Sequence, residues 1–350
     1  MGPDSERPSF AFLRWRWQRR RDGSIPDVPR PGSLPVAPHD MAEPRAHETD
    51  LRITWIGHAT FLIQIGSINL LTDPVWSDRA SPVPWAGPHR LVAPAPSFDT
   101  LPPIDAVILS HDHYDHLDAP TVRRLHLRFG ETLRWITPLG YASWFCKRDV
   151  RTVVELDWGD AIELGDGASR VAITAAPAQH WTRRRPFGPS RRLWASWVID
   201  SPRAGSVYFG GDSGWFPGYS AIRDAHGPFD AVMLPIGAYA PRWFMKAMHM
   251  NPEEAVQAYR ELGEAGTFLP MHWGTFMLAD EPPLEPPRRL REAWARAGLH
   301  DARLRVLRHG ETFVRRRAAA DLLNRQASDL DRGDGRDCHA VRPNEDAATK

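Results

Sequence analysis

Residues 110–118 read Ser-His-Asp-His-Tyr-Asp-His-Leu-Asp and set His111, His113, Asp115 and His116 in an H-x-H-x-D-H arrangement. They follow directly on the apolar run Ala106-Val107-Ile108-Leu109. Imidazoles and carboxylates crowded at a strand end make poor core material, because burying unpaired polar groups is costly. They make good ligands for first-row divalent metals. Alternate side chains of an extended segment point the same way, so His111 and His113 can grip one ion. Asp115 and His116, after the chain turns, can face a second. A solvated polar loop is the plainer account of any one of these histidines, but not of the whole hexad.

Three further residues share the setting of the hexad, each just after a short apolar run. His180 follows Val171–Pro177, Asp212 follows Val207–Gly211, and His272 follows Phe268–Met271. The glycines before Asp212 let the backbone crowd a site. Together with the hexad these residues complete two four-ligand sets. His58 reads either as a group orienting a ligand or as a structural histidine.

The elements that must position these groups are short strands interleaved with helices. Strands are expected at 52–57, 60–65, 68–72, 106–110, 133–137, 152–156, 170–175, 195–200, 206–210, 231–236, 267–271 and 304–308. The first three lie a few residues apart and should pair as antiparallel neighbours. The clearest helix opens at Asn251-Pro252-Glu253-Glu254, where an N-cap asparagine, a proline at the first position and glutamate at the third agree. It runs to Gly263 or Gly266, and others are expected over 119–129, 139–146, 219–226 and 286–297. Strand-rich halves interleaved with helices imply an α/β chain folded as an αββα sandwich, with the ligands at one edge of its two sheets.

Residues 1–47 carry eight prolines and the basic-aromatic cluster Arg14-Trp15-Arg16-Trp17-Gln18-Arg19-Arg20-Arg21. That density of proline opposes regular structure, so the segment reads as an extended arm with a short helix near residues 8–20. Arginine beside tryptophan suits an anionic membrane surface, and a solvated arm or subunit contact is the alternative. Residues 48–317 form the catalytic domain in this reading, and 318–350 a disordered polar tail.

The 350 residues are 42% hydrophobic and 25% charged, ordinary for a globular protein. A formal net charge of +1 argues against a dedicated nucleic-acid binder. Two cysteines, Cys146 and Cys338, leave no disulfide framework or cysteine zinc site and fit a reducing cytoplasm. No apolar run approaches the roughly 20 residues needed to span a bilayer, and no secretory signal is supported. The expected location is therefore cytoplasmic, at most peripheral to a membrane, and a homodimer is compatible with the sequence.

The chain resembles the metallo-β-lactamase fold superfamily. Within it, the chain is similar to the N-acyl-phosphatidylethanolamine-hydrolysing phospholipase D family over about Thr54 to Gly310. The likeness rests on Thr54-Trp55-Ile56-Gly57-His58-Ala59-Thr60, Leu71-Thr72-Asp73-Pro74, the hexad, Gln179-His180-Trp181 and Gly211-Asp212-Ser213-Gly214. Its narrowest blocks are Pro235-Ile236-Gly237-Ala238-Tyr239, Pro241-Arg242-Trp243-Phe244-Met245-Lys246 and His272-Trp273-Gly274-Thr275-Phe276. The resemblance implies that His111, His113 and His180 hold one zinc ion. It implies that Asp115, His116 and His272 hold a second, with Asp212 bridging the two. It gives catalytic roles to His249, beside the phosphate, and to Asp115. Asp112 stands where the family pattern has asparagine, at a position that carries no ligand. Residues 82–87, around Val83-Pro84-Trp85, also depart from the family.

Two divalent ions about 3.5–4 Å apart can share a water and bring its pKa near 7 while neutralising a phosphodiester. The resemblance then implies hydrolysis of N-acyl-phosphatidylethanolamine to phosphatidic acid and an N-acylethanolamine, through a hydroxide bridging the metals. No H-x-K occurs in the chain, which excludes the histidine–lysine type of phospholipase D catalysis. A phospholipid substrate at a membrane surface needs an apolar approach, for which Trp85, Trp243, Phe244, Met245 and Met248 are the candidates. Arg183, Arg184, Arg185 and Lys246 are the candidates to face phosphate headgroups. The rival readings are a related metallo-hydrolase acting on a soluble phosphodiester or lactone, and a non-catalytic metal-dependent binding protein.

Overall fold

Period-two alternation stacks the layers of this protein. In β2 (Thr60–Ile65), Phe61, Ile63 and Ile65 face one apolar cluster while Leu62 faces another. In β4 (Ala106–Ile108), Ala106 and Ile108 join the first cluster, and Val107 joins the second together with Leu109. A sheet apolar on both faces must be covered on both. This computed structural model describes residues 9–38, 43–184 and 192–316. The expected tail from residue 318 and Arg185 lie outside the described residues.

Two sheets result. The first has seven strands in the order β13-β1-β2-β3-β4-β5-β6. Besides β2 and β4 these are β1 (Asp50–Gly57), β3 (Ile68–Thr72), β5 (Arg134–Pro138), β6 (Val153–Leu156) and β13 (Thr312–Arg316). The first three strands pair antiparallel, as their close spacing predicts, and β3 to β6 continue in parallel. The second sheet has six strands in the order β12-β11-β10-β9-β8-β7. They are β7 (Ala161–Leu164), β8 (Val171–Ala176), β9 (Ser196–Ser201), β10 (Gly205–Phe209), β11 (Ala231–Pro235) and β12 (Thr267–Met271).

The facing sides of both sheets share one core, which includes Trp55, Phe61, Ile173, Trp197 and Ile199. Burying each such side chain contributes roughly 1.5–3 kcal/mol. Helices α2 (Ala119–Phe129) and α3 (Ala142–Cys146) cover the outer face of the first sheet through Val122, Leu125, Trp144 and Phe145. Helices α4 (Tyr219–His226), α6 (Pro252–Glu261) and α7 (Glu285–Arg296) cover the second through Tyr219, Tyr259, Leu290 and Trp294. The architecture is the expected αββα sandwich.

Local departures have local causes. Residues 304–308 form no strand: Leu304 makes a single bridge to Phe268 before the chain turns away toward His309, whose ring stacks on Trp55. Strands β7 and β13 were not anticipated. The first is four residues long, and the second draws its order from pairing with β1. The arm is anchored rather than free. Helix α1 (Ser9–Arg21) buries Trp15, while Leu34, Ala37 and Ala46 are buried further along. Ala37 N donates to His309 O at 2.8 Å, and His309 N to Pro35 O at 3.1 Å. Among the described residues no helix is long and apolar enough to cross a membrane.

Candidate metal centre

The chain turns into the site at the ends of strands from both sheets. His58 follows β1, Asp73 follows β3, the hexad follows β4, His180 follows β8, Asp212 follows β10 and His272 follows β12. Three of these turns need unusual backbone: His58 (φ 58°), Asp73 (φ 36°) and His272 (φ 63°) all lie in the left-handed region. Each costs about 1–3 kcal/mol and persists only where surroundings over-determine it. Gly211 (φ 56°) makes the same turn before Asp212, where an added Cβ would meet Ser110 Cβ at 2.6 Å. His272 N donates to His58 O at 3.1 Å and ties the two strand ends together.

All seven residues of the expected ligand sets converge. His111, His113, His180 and Asp212 form one group with ligand atoms within 4.8 Å of one another, and Asp115, His116 and His272 form a second together with His58. In the first group, His111 Nε2 and His180 Nε2 approach His113 Nδ1 at 2.9 and 3.2 Å. In the second, His116 Nε2 and His272 Nε2 each stand 3.4 Å from Asp115 Oδ2. Asp212 lies between the groups. Its Oδ2 is 3.1 Å from His116 Nε2 and 3.8 Å from both His111 Nε2 and His180 Nε2, and its Oδ1 is 3.0 Å from His272 Nε2.

Other contacts decide which nitrogen of each ring faces inward. His180 Nδ1 donates to Met248 O at 3.0 Å, which leaves Nε2 for the cluster. His116 Nδ1 donates to Asp73 Oδ2 at 2.7 Å. Asp73 also accepts from Ser110 N at 2.7 Å and Ser110 Oγ at 2.5 Å, and that Oγ lies 2.9 Å from His111 Nδ1. A single buried carboxylate therefore orients His116 directly and His111 through a serine. With its oxygens committed to these donors, Asp73 supports the cluster rather than joining it. His58 settles the same way: its Nε2 donates to Asp115 Oδ2 at 2.9 Å, so it orients that carboxylate.

Do these groups suit a metal ion? Buried His116 Nε2, His272 Nε2, Asp212 Oδ1 and His249 Nδ1 have no hydrogen-bond partner. Orphaned polar atoms of that kind are rare in native structures unless something else binds them. The electrostatics agree. Burial, then the surrounding imidazoles, holds His111 well below the ordinary histidine range, and burial takes His180 down to about 3. Burial opposes charge at Asp115 and Asp212 too, yet His116 and its neighbours hold both carboxyls well below the usual range. At His116 burial is outweighed by Asp212, Asp115 and Asp73, and at His272 by Asp212 and Asp115, raising it to about 9. His111 and His180 are held neutral beside ionised carboxylates, while those carboxylates draw positive charge onto His116 and His272, a field that favours a divalent cation in place of those protons.

His249 reaches the same cluster from another direction. Helix α5 (Arg242–Met245) brings it in, with His249 N donating to Met245 O at 2.9 Å. Its carbonyl accepts from Arg242 Nη1 at 2.8 Å, and Arg242 also pairs with Glu254 at 2.6 Å. Glu254 belongs to the capping box of α6, with Asn251 accepting from Glu254 N at 2.9 Å and Glu254 accepting from Asn251 N at 3.1 Å. The ring stands with Nδ1 3.9 Å from Asp212 Oδ2, outside both four-residue groups but forming a further group with Asp212 and His272, and burial lowers it to about 3.

A groove of about 1190 Å3 opens beside the hexad, lined by Asp112 and Tyr114 together with Trp76, Val83, Trp144, Arg79, Arg148 and Arg183. Here two expectations need correcting. Of the five apolar residues expected at the surface, only Trp85 and Trp243 are exposed, whereas Phe244, Met245 and Met248 are buried. Arg184 does not stand free for a headgroup. It donates to Asp112 O at 2.8 Å and Leu117 O at 2.7 Å and lies over Tyr114, bracing the hexad loop. Asp112 is paired with Arg192 at 2.7 Å, away from the cluster. Sequence reasoning missed Asp73 and Arg242 as supports. Both stand in blocks that carry the family likeness, but neither the aspartate at a strand end nor the arginine beside aromatic residues marks itself as a support.

An αββα sandwich with an imidazole–carboxylate cluster at its strand ends defines a metallo-hydrolase of the metallo-β-lactamase fold. A family model described as the β-lactamase superfamily domain matches residues 68–273, and the chain belongs to that family. It is 38% identical to "N-acyl-phosphatidylethanolamine-hydrolyzing phospholipase D 1" of Caenorhabditis elegans, over 80% of each chain. It is 41% identical to an uncharacterized protein of Mycobacterium tuberculosis, over 74% of this chain and 68% of that one. Among solved structures it resembles Igni18, a metallo hydrolase from Ignicoccus hospitalis, with a TM-score of 0.56 and 22% identity. That match covers 77% of this chain and all of the other, and at that identity it speaks to the fold alone.

Proposed function

We propose that the protein hydrolyses N-acyl-phosphatidylethanolamine with two zinc ions, one held by His111, His113 and His180 and the other by Asp115, His116 and His272. Asp212 is shared between them. The observation that carries the metal reading is the convergence of buried ring nitrogens and carboxylate oxygens on either side of Asp212, among which His116 Nε2, His272 Nε2 and Asp212 Oδ1 have no hydrogen-bond partner. When bound, the two ions supply a nucleophile at neutral pH and neutralise phosphate charge. One water is consumed, the bond from phosphorus to the ethanolamine oxygen breaks, and phosphatidic acid and an N-acylethanolamine leave.

The chain's own residues prepare that reaction. Asp73 and His58 fix the orientation of their partners, so little reorganisation remains when the substrate binds. His249 presents a ring nitrogen without a protein partner next to the shared carboxylate, available to the reacting phosphate. The groove joins apolar Trp76, Val83 and Trp144 with cationic Arg79, Arg148 and Arg183, a mixture that suits an amphiphile with an anionic centre. The choice of lipid draws its support from the likeness to the worm phospholipase. The test is a lipid panel assayed on purified protein with and without chelator. Cleavage of N-acyl-phosphatidylethanolamine that stops on chelation supports the reading. Intact N-acyl-phosphatidylethanolamine beside cleaved soluble diesters or lactones refutes the lipid assignment, and chelator-resistant turnover refutes the metal assignment.

A further inference from the structure

Helix α1 has two apolar faces. Its inner face is fixed: Trp15 stacks on Phe244 with ring centres 5.2 Å apart, its Nε1 donates to Asp280 Oδ2 at 2.6 Å, and Arg19 pairs with Asp280 at 3.0 Å. At about 100° per residue, Leu13 and Trp17 lie one turn apart on the side opposite Trp15. Each is 59% exposed. Trp243, half exposed on α5, lies beside the same helix, with the guanidinium of Arg14 4.9 Å from the centre of its ring. A surface helix ordinarily turns polar residues outward. Single exposed hydrophobics need no explanation, but an aromatic and aliphatic stripe flanked by cations does.

The charge on the helix itself has one sign, with Asp22 just past its end. Helix α1 contains no acidic residue. Among the described residues, Arg14, Arg16, Arg20 and Lys246 have no carboxylate partner, in contrast to Arg19 and Arg21, which pair with Asp280 and Asp22. Arginine stems can lie along an apolar surface while their heads reach outward, which lets the rings between them sink to the boundary of headgroups and acyl chains. We infer that the outer face of α1, together with Trp243, is a docking surface for an anionic lipid bilayer. It is continuous with the wall of the metal centre: Trp15 grips Phe244, and Met248, four residues further on, holds His180 through its carbonyl. The surface does not depend on what the site hydrolyses, since none of its residues belongs to the cluster.

The experiment uses the full chain and vesicles of phosphatidylcholine, alone or mixed with phosphatidylglycerol. Neither contains an N-acyl lipid, so hydrolysis plays no part and failure of the substrate assignment leaves the result untouched. Cosedimentation should show binding to the anionic vesicles only, with a blue shift of tryptophan emission. Leu13→Ser with Trp17→Ser should abolish both signals. Arg14→Gln, Arg16→Gln and Arg20→Gln together keep the stripe and should weaken partitioning about a hundredfold, at roughly fivefold per charge. Arg288→Gln, at an exposed position of α7, should change nothing. Equal binding to neutral vesicles, or binding that survives both sets of substitutions, overturns the inference. So does a dimer in sedimentation velocity that the serine variant dissolves, because the face would then belong to a second copy.

Discussion

Replacing Asp73 by asparagine removes one charge from a position that touches no substrate, yet it should disable both halves of the metal centre. Asp73 is fully buried and accepts from three donors on two residues: Ser110 N, Ser110 Oγ and His116 Nδ1. An asparagine keeps the shape but offers one acceptor oxygen and turns an amide toward donors. His116 then loses the partner that fixes its tautomer, and His111 loses the serine relay. Loss of a supporting partner of this kind typically costs 10–100-fold in metal affinity. Because the two rings belong to different groups, both ions should weaken by about that factor. Asp73→Ala goes further, stranding Ser110 N–H and His116 Nδ1–H in a dry site at about 1–3 kcal/mol each, or roughly 2–6 kcal/mol of stability. Competition against a chromophoric chelator reads the affinity directly, and thermal unfolding of the metal-free protein reads the stability. Wild-type affinity for both ions in a folded Asp73→Asn variant would refute the reasoning, as would loss confined to one ion.

Four other outcomes follow from the same geometry. Asp212→Asn should lower metal content and activity together, by metal analysis and lipid hydrolysis, because its carboxylate lies between the groups. His249→Ala should leave metal content unchanged and reduce turnover about 10²–10⁴-fold, as for a group acting on the reacting atoms. Chelation should lower the unfolding temperature by several degrees, since a ligand at 100 times its Kd contributes about 2.7 kcal/mol to the folded state. Gly211→Ala should lose metal affinity without touching a ligand: the new Cβ would press on Ser110 at 2.6 Å, and the φ of 56° disfavours any side chain.

The metal centre was legible because its chemistry is local. His111 to His116 sit within six residues, and His180, Asp212 and His272 each follow a run of apolar residues that reads as a strand. The capping box at Asn251 and the antiparallel opening strands were legible for the same reason, since each is set by near neighbours. What escaped depends on distance or on backbone dihedrals. Asp73 looks like any aspartate before a proline until φ turns it under a strand 37 residues away. Phe244 and Met245 looked lipid-facing because nothing in their own block reveals that Trp15, some 230 residues earlier, covers them. The docking of α1 was hidden by its having apolar residues on opposite sides, which cancels the periodic signal.

The cluster is built across the seam of the sandwich. His111, His113, Asp115 and His116 are carried by the first sheet, while His180, Asp212 and His272 are carried by the second, and neither sheet holds a complete set. On the reading proposed above, bound ions would act as rivets, added to the shared apolar core and to the His272–His58 hydrogen bond that already join the two layers. Prying the sheets apart at that edge would then release the ions together, and restoring them would draw the edge shut. The centre is thus a gauge of assembly: a chain that has folded one layer but not the other has only four or three of the seven ligands, and neither four-residue group is complete.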